Sequence, residues 1–292
     1  MINYINSEIS ECYLGNNKLD SVYLGSNKLW PTAFDYSQEY FTIESLKNNN
    51  TIIWQFSTSS GTPKTIQWSN DMLSWTSVTS SYSGTTITTL NTGDKIYIKG
   101  SNDNYSMYTS IYNYFNSDDK FNISGNIMSL IYGDNFIGQI TLPSVSQNFA
   151  NIFKRSKVVD ASNLILPATT LTNYCYYHMF YGCTSLTTAP ELTATTLANY
   201  CYSNMFEGCT SLTTAPKLPA TTLSSYCYRN MFYGCKSLRY IKCLATDISA
   251  SSSHTNWVSN VAATGTFVKS SSMTSWGTGS SGIPIGWTVV NV

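Results

Sequence analysis

The chain has 292 residues, with 16 basic and 16 acidic side chains that cancel; 11% of residues are charged and 42% hydrophobic. No Lys/Arg block offers a field for a nucleic-acid backbone, and no apolar run approaches the roughly 18 residues of a transmembrane helix. The polar remainder is mostly uncharged Ser, Thr and Asn, which suits strands and turns better than a charged helical bundle, while 22 Tyr and 7 Trp supply the apolar mass of a folded core.

Residues 1–32 hold a ten-residue repeat, "CYLGNNKLDS" followed by "VYLGSNKLWP". Each unit reads as a short β-hairpin turning at Gly15 or Gly25, where a positive φ is expected. Hairpins this small are not stable alone, so an attachment role is expected for them. The opening "MINYINSEIS" lacks basic and apolar signal regions, so folding in a reducing cytoplasm is expected.

Residues 33–140 read as an antiparallel β-sandwich or jelly-roll-like domain. Its strands are expected at "EYFTIESL", "TIIWQFST", "KTIQWS", "SWTSVTS", "TTITTL", "KIYIKG" and "DKFNISG", with Trp54, Trp68, Trp75, Ile43, Ile96 and Ile98 as core. The acidic pair Asp118–Asp119 and the oxygen-rich "SNDNYS" and "YGDN" read as solvated Asx turns rather than catalytic carboxylates or a calcium loop.

From 141 to 292 a 26-residue period takes over, with Cys175, Cys201 and Cys227, Met179, Met205 and Met231, and Cys183, Cys209 and Cys235 in register. A period in this range marks repeats that share a core by stacking. Leu171, Cys175 and Met179 stand four apart and predict a short helix ending at Gly182; Leu186 and Leu192 flank a short strand beside Pro190. A worn copy at 151–171 and a degenerate one after Ala245 bring the stack to four or five units. The Cys ladders read as small packed columns. Disulfides suit a secreted chain better, and an eight-residue spacing with only two His is poor for zinc. No cofactor or metal is expected.

Letters that differ between copies mark the solvated positions: Tyr177/Ser203/Arg229, Tyr181/Glu207/Tyr233 and Glu191/Lys217. His178, replaced by Asn204 and Asn230, reads as surface. Tyr177, Tyr181, Glu207, Arg229 and Tyr233 are the candidate binding residues, because exposed Tyr presents a large rigid face at small entropic cost.

The core Phe180-x-Gly182-Cys183-x-Ser185-Leu186 of "MFxGCTSLTTAPxLPATTL" resembles the BspA-like leucine-rich repeat over roughly 141–250. The "YLGxNKL" units and the closing "WGTGSSGIPIGWTVVNV" resemble segments of tail and fibre proteins of Bacteroidales-type and crAss-like gut phages. The resemblance implies a leucine-rich-repeat α/β solenoid with a C-terminal cap. It also implies a non-enzymatic virion protein, a fibre or appendage subunit assembled in the host cytoplasm. Its expected partners are other virion proteins through the N-terminal repeats, a host-surface glycan or protein, and further copies of itself, a trimer being favoured. A bacterial cell-surface adhesin and a polysaccharide-degrading enzyme are the alternative readings.

Overall fold

The computed structural model describes residues 35–108 and 110–292 (only the backbone of Tyr108), and before them the backbone of four short strands. It is β-rich with almost no helix. Residues 1–35 and 36–292 form two units. In the first, β1 (Cys12–Leu14) pairs antiparallel with β2 (Asn17–Leu19), and β3 (Val22–Leu24) with β4 (Asn27–Trp30). Both are the expected hairpins; Gly15 and Gly25 lie outside the described residues.

In the second unit the strands are β5 (Phe41–Ser45), β6 (Asn50–Phe56), β7 (Thr65–Ser69), β8 (Thr76–Thr79), β9 (Thr85–Leu90), β10 (Lys95–Gly100), β11 (Ser106–Tyr108), β12 (Ile111–Ser117) and β13 (Phe121–Asn126). A four-residue helix, α1 (Ser129–Tyr132), precedes β14 (Asn163–Ile165), β15 (Tyr240–Cys243), β16 (Thr266–Lys269) and β17 (Thr288–Asn291). One sheet runs β14-β13-β5-β10-β7-β8 and a second β11-β12-β6-β9. Their inner faces meet through aromatic pairs such as Phe41–Phe115, and within the second sheet Trp54 tilts against its cross-strand neighbour Phe115 with ring centroids 4.6 Å apart.

All seven expected strands form. Strands β11 and β12 are additional. The inward positions of β12 include Asn113 and Ser117, whose polarity hides the alternation. Asn113 is nonetheless satisfied, donating to the Thr62 and Tyr105 carbonyls and accepting from Ser80 Oγ. Trp54, Ile43, Ile96 and Ile98 are fully buried, but Trp68 and Trp75 are only half-buried at the margins. Trp75 covers the Lys99 ammonium at 4.0 Å, while Lys99 and Tyr40 both hold Asp134 of "YGDN". Strand β13 must pass Tyr40 so closely at Gly125 (φ 77°) that a Cβ there would lie 2.0 Å from the Tyr40 carbonyl oxygen.

The repeat region departs from the expectation in both of its local elements, the helix and the strand. Residues 174–182 are not helical. They form a row of consecutive turns with positive φ at Tyr174, His178 and Gly182. The same four-residue beat recurs at 200, 204 and 208, at 226, 230 and 234, at 252, 256 and 260, and earlier at 147, 151 and 155. A spacing of four is close enough to 3.6 to imitate a helical stripe, and that is why the sequence misleads here. The burial it predicted still holds, since Leu171, Cys175 and Met179 all face inward.

Backbone hydrogen bonds within and between rows hold such a row together. Within 174–183 the odd-numbered N–H groups close turns: Cys175 to the Thr172 carbonyl, Tyr177 to Tyr174, Met179 to Tyr176, Tyr181 to His178 and Cys183 to Phe180. The even-numbered ones reach the next row: Tyr174 to Asn199, Tyr176 to Cys201, His178 to Ser203, Phe180 to Met205 and Gly182 to Glu207. Every N–H from Tyr174 to Cys183 thus has a partner, as buried backbone requires, and each row is tied to its successor.

The predicted strand beside Pro190 survives only as an isolated bridge in the middle copies, for example Asp160 with Thr188. Pro190 and Pro216 have no N–H to give a ladder. Lys242 stands one period beyond Pro216, and there β15 forms and pairs in parallel with β16, which pairs with β17. At the other end β14 pairs in parallel with β13, so the first row's segment extends the six-stranded sheet.

Candidate binding face

The interior of the rows is built from columns. Phe153, Phe180, Phe206 and Phe232 stack in sequence at 5.4, 5.6 and 5.7 Å, and Phe149, Tyr176, Tyr202 and Tyr228 form a second pile. Trp257 closes both, lying over Tyr228 and Phe232, and Trp276 stacks on it at 5.3 Å. In each Cys-bearing row the thiols flank the two aromatic positions, as Cys175 and Cys183 flank Tyr176 and Phe180. Cys175, Cys183, Cys201, Cys209, Cys227, Cys235 and Cys243 are free and buried; Cys12 lies outside the residues whose side chains are described.

The second thiol column has a regular hydrogen-bond role. Cys183 Sγ donates to the Phe153 carbonyl at 2.9 Å, Cys209 to Phe180 at 3.1 Å and Cys235 to Phe206 at 3.0 Å. Each thiol therefore caps a carbonyl of the row before it. Ser156, with Oγ 3.5 Å from Cys183 Sγ, fills the corresponding place in the first row. Burial pushes Cys175, Cys183, Cys227, Cys235 and Cys243 up to about 12, and Cys201 and Cys209 well above the ordinary value. These are packed, unreactive thiols.

Outside the columns, the differing letters lie along the outer side of the rows. Lys154, Tyr181, Glu207 and Tyr233 occupy equivalent places in four successive rows, and Tyr177, Ser203 and Arg229 in three. Arg229 and Tyr233 are exposed, whereas Tyr177, Tyr181 and Glu207 are half-buried. The expectation of full solvation fails at Ser203, which is 1% exposed. Its short side chain sits against the next row, donating to Asn204 Oδ1 at 2.7 Å and to the Arg229 carbonyl at 3.2 Å. A Tyr or Arg at that place extends past the backbone instead.

His178 is likewise half-buried rather than on the surface. Its ring stacks on Tyr177 at 3.9 Å and tilts against Tyr181 at 4.8 Å. Burial, helped by the Lys154 charge, pulls its pKa down to about 3, so it is neutral at physiological pH. Lys154 itself lies over the Tyr112 and Tyr181 rings at 4.6 and 5.3 Å, and Arg155 over Tyr181 at 5.8 Å. Burial first, and the Arg155 charge second, lower the Lys154 pKa. Burial raises that of Glu207, which accepts a hydrogen bond from Asn204 Nδ2. Tyr174, Tyr200 and Tyr226 stack nearly parallel, face to face, at 4.5 Å, and Arg229 lies over Tyr226 at 5.8 Å.

The strip is therefore aromatic, carries both charge signs, and is held on rigid backbone. The five candidates lie on it. Sequence reasoning missed Lys154, Arg155 and Tyr112. Row 147–155 has lost the Cys and Met letters, and only Phe149 and Phe153, four apart, could have signalled it. Asp118 and Asp119 fall in the turn between β12 and β13, where the Asp119 N–H and carbonyl are taken by Asn50. Among the described residues no group of three or more His, Cys, Asp or Glu gathers in a way that could hold a metal ion, and no helix is long and apolar enough to cross a membrane. Comparison with protein-family models, with curated proteins and with solved structures found no match for this chain.

Proposed function

We propose that this chain is a structural protein of a bacteriophage virion, a fibre or appendage subunit that holds on through its N-terminal hairpins. In this reading the stacked rows are a leucine-rich-repeat solenoid of the BspA-like sort, the two facing sheets a β-sandwich joined to it, and the outer strip a surface for a host glycan or protein. The observation that carries the reading is the division of labour within each 26-residue unit: the Cys, Met and Phe letters shared by the copies are buried, and the five differing candidates are all partly or fully exposed. Uniform rows supply a rigid scaffold, and the unequal letters supply recognition. Copies of the chain would associate symmetrically, with other virion proteins bound at the hairpins.

Two experiments test this. Gold-labelled antibody to residues 36–292 should decorate purified phage particles; label confined to the bacterial envelope would favour a cell-surface adhesin instead. Replacing Tyr177, Tyr181, Glu207, Arg229 and Tyr233 together by Ala should weaken adsorption of the isolated protein to host cells by about a hundredfold, as loss of two aromatic hot spots would, without lowering the unfolding midpoint appreciably. Unchanged adsorption would remove these residues from the binding role.

A further inference from the structure

A cavity of about 520 Å³ opens at the rim where the two facing sheets part, lined from the six-stranded sheet by Trp68, Asn70, Asp94 and Lys95 and from the second sheet by Thr88 and Thr89. That volume lies within the roughly 300–1,000 Å³ of small-ligand sites. Trp68 follows Ile66 at the two-residue spacing of strand β7, so it belongs to the inward face, yet it is half-buried where Ile66 is fully covered. The indole is left with a face toward the cavity. Among the described residues no protein group takes its N–H, the Asn70 amide or the Thr88 hydroxyl. The Asp94 carboxylate is already oriented, because Oδ2 accepts the Asn91 N–H at 2.8 Å, which leaves Oδ1 for another donor.

We infer that this rim is a binding site for a short neutral oligosaccharide. The chemistry is that of a pyranose: an apolar C–H face to lie on the indole, and a ring of hydroxyls that both donate and accept. Asn70, Thr88 and Thr89 can do either, Asp94 accepts and Lys95 donates. The single carboxylate and single ammonium cancel, so nothing selects an anionic sugar or a phosphate. Trp68, Thr88, Thr89 and Lys95 stand on β7, β9 and β10, and Asp94, just before β10, is held by backbone bonds to Ser45 and Asn91, which spares the ligand much of the cost of ordering a loop. The site is separate from the outer strip of the rows and does not depend on the function assigned to that strip.

The test is a glycan array containing neutral, uronate-bearing and sialylated oligosaccharides, followed by calorimetry of the wild-type chain with the strongest neutral saccharide. Asn70 and Asp94 are exposed, so Asn70→Ala and Asp94→Ala leave the core intact. Each should weaken binding about tenfold, the loss expected when one hydrogen bond to a desolvated hydroxyl is removed. The fivefold Ala variant of the outer strip should bind the same saccharide with unchanged affinity. Absence of any neutral saccharide among those bound, or binding that both rim variants leave intact in folded protein, would overturn the assignment. Binding lost only in the fivefold variant would place the saccharide on the rows instead.

Discussion

Phe206→Ala should cost about 3–5 kcal/mol of stability, the range for emptying a fully buried aromatic position. Phe206 is 0% exposed and lies nearly parallel to both neighbours, 5.6 Å from Phe180 and 5.7 Å from Phe232. Truncation therefore opens a void that two rings face, and rows tied together by backbone hydrogen bonds at every second residue cannot close up to fill it. The carbonyl of Phe206 also accepts from Cys235 Sγ and from the Cys209 N–H, so any backbone relaxation loses those bonds too. Tyr233→Ala, one row on and outside the columns, should stay within about 0.5 kcal/mol. Urea unfolding followed by circular dichroism reads both. Equal shifts for the two variants would mean that the aromatic pile does not support the rows.

The second large effect is alkaline unfolding. Seven described thiols stay protonated in the fold up to about pH 12 or beyond, whereas an unfolded chain ionises its thiols above roughly pH 8.5. Between those limits the unfolded state binds fewer protons than the native one, so stability must fall as pH rises. Each thiol removes about 1.4 kcal/mol per pH unit once the unfolded form is ionised. Seven together remove on the order of 10 kcal/mol per unit, which matches the whole stability of a typical domain. Buried Tyr176, Tyr202 and Tyr228, all raised by burial, act in the same direction at higher pH. The slope fades as pH falls below the unfolded thiol value and is close to zero below about pH 7, where the thiols are protonated in both states. A cooperative loss of structure is expected between about pH 9 and 11, with thiolate absorbance appearing in the same step. Thiolate absorbance rising gradually from about pH 8.5 over an unchanged circular dichroism spectrum would contradict the burial of the columns.

What could be read from the letters was decided by how directly a residue type reports its environment. Alternating β-branched and aromatic residues declared β5, β6, β7 and β10, because a pleated strand half-buried on one face requires that alternation. Strand β12 stayed hidden, since Asn113 and Ser117 occupy inward positions and are satisfied there by hydrogen bonds no sequence pattern reveals. The 26-residue period and the inward Cys, Met and Phe were legible from the copies themselves. The local conformation was not: the beat of four belongs to turns with Tyr, His or Asn at positive φ, and Tyr at such a position is unusual enough that a helix was the natural reading. For the outer strip, comparing copies found five partly or fully exposed positions, Tyr177, Tyr181, Glu207, Arg229 and Tyr233. It failed at Ser203, where side-chain length rather than solvation explains why Tyr, Ser and Arg are all accommodated. Lys154 was out of reach, because its row shares almost no letters with the others.

Stacked rows sealed around two buried thiol columns are the structural fact on which the outer strip and both stability predictions rest, and alkylation kinetics test it most directly. Native protein is exposed to iodoacetamide at pH 8, with modification at each cysteine followed by mass spectrometry and folding by circular dichroism. Cys175, Cys183, Cys201, Cys209, Cys227 and Cys235 should remain unmodified in the folded protein and react together, at one common rate, only when urea unfolds it. Rapid modification of any of the six while the spectrum stays native would show a thiol facing solvent and would contradict the sealed stack.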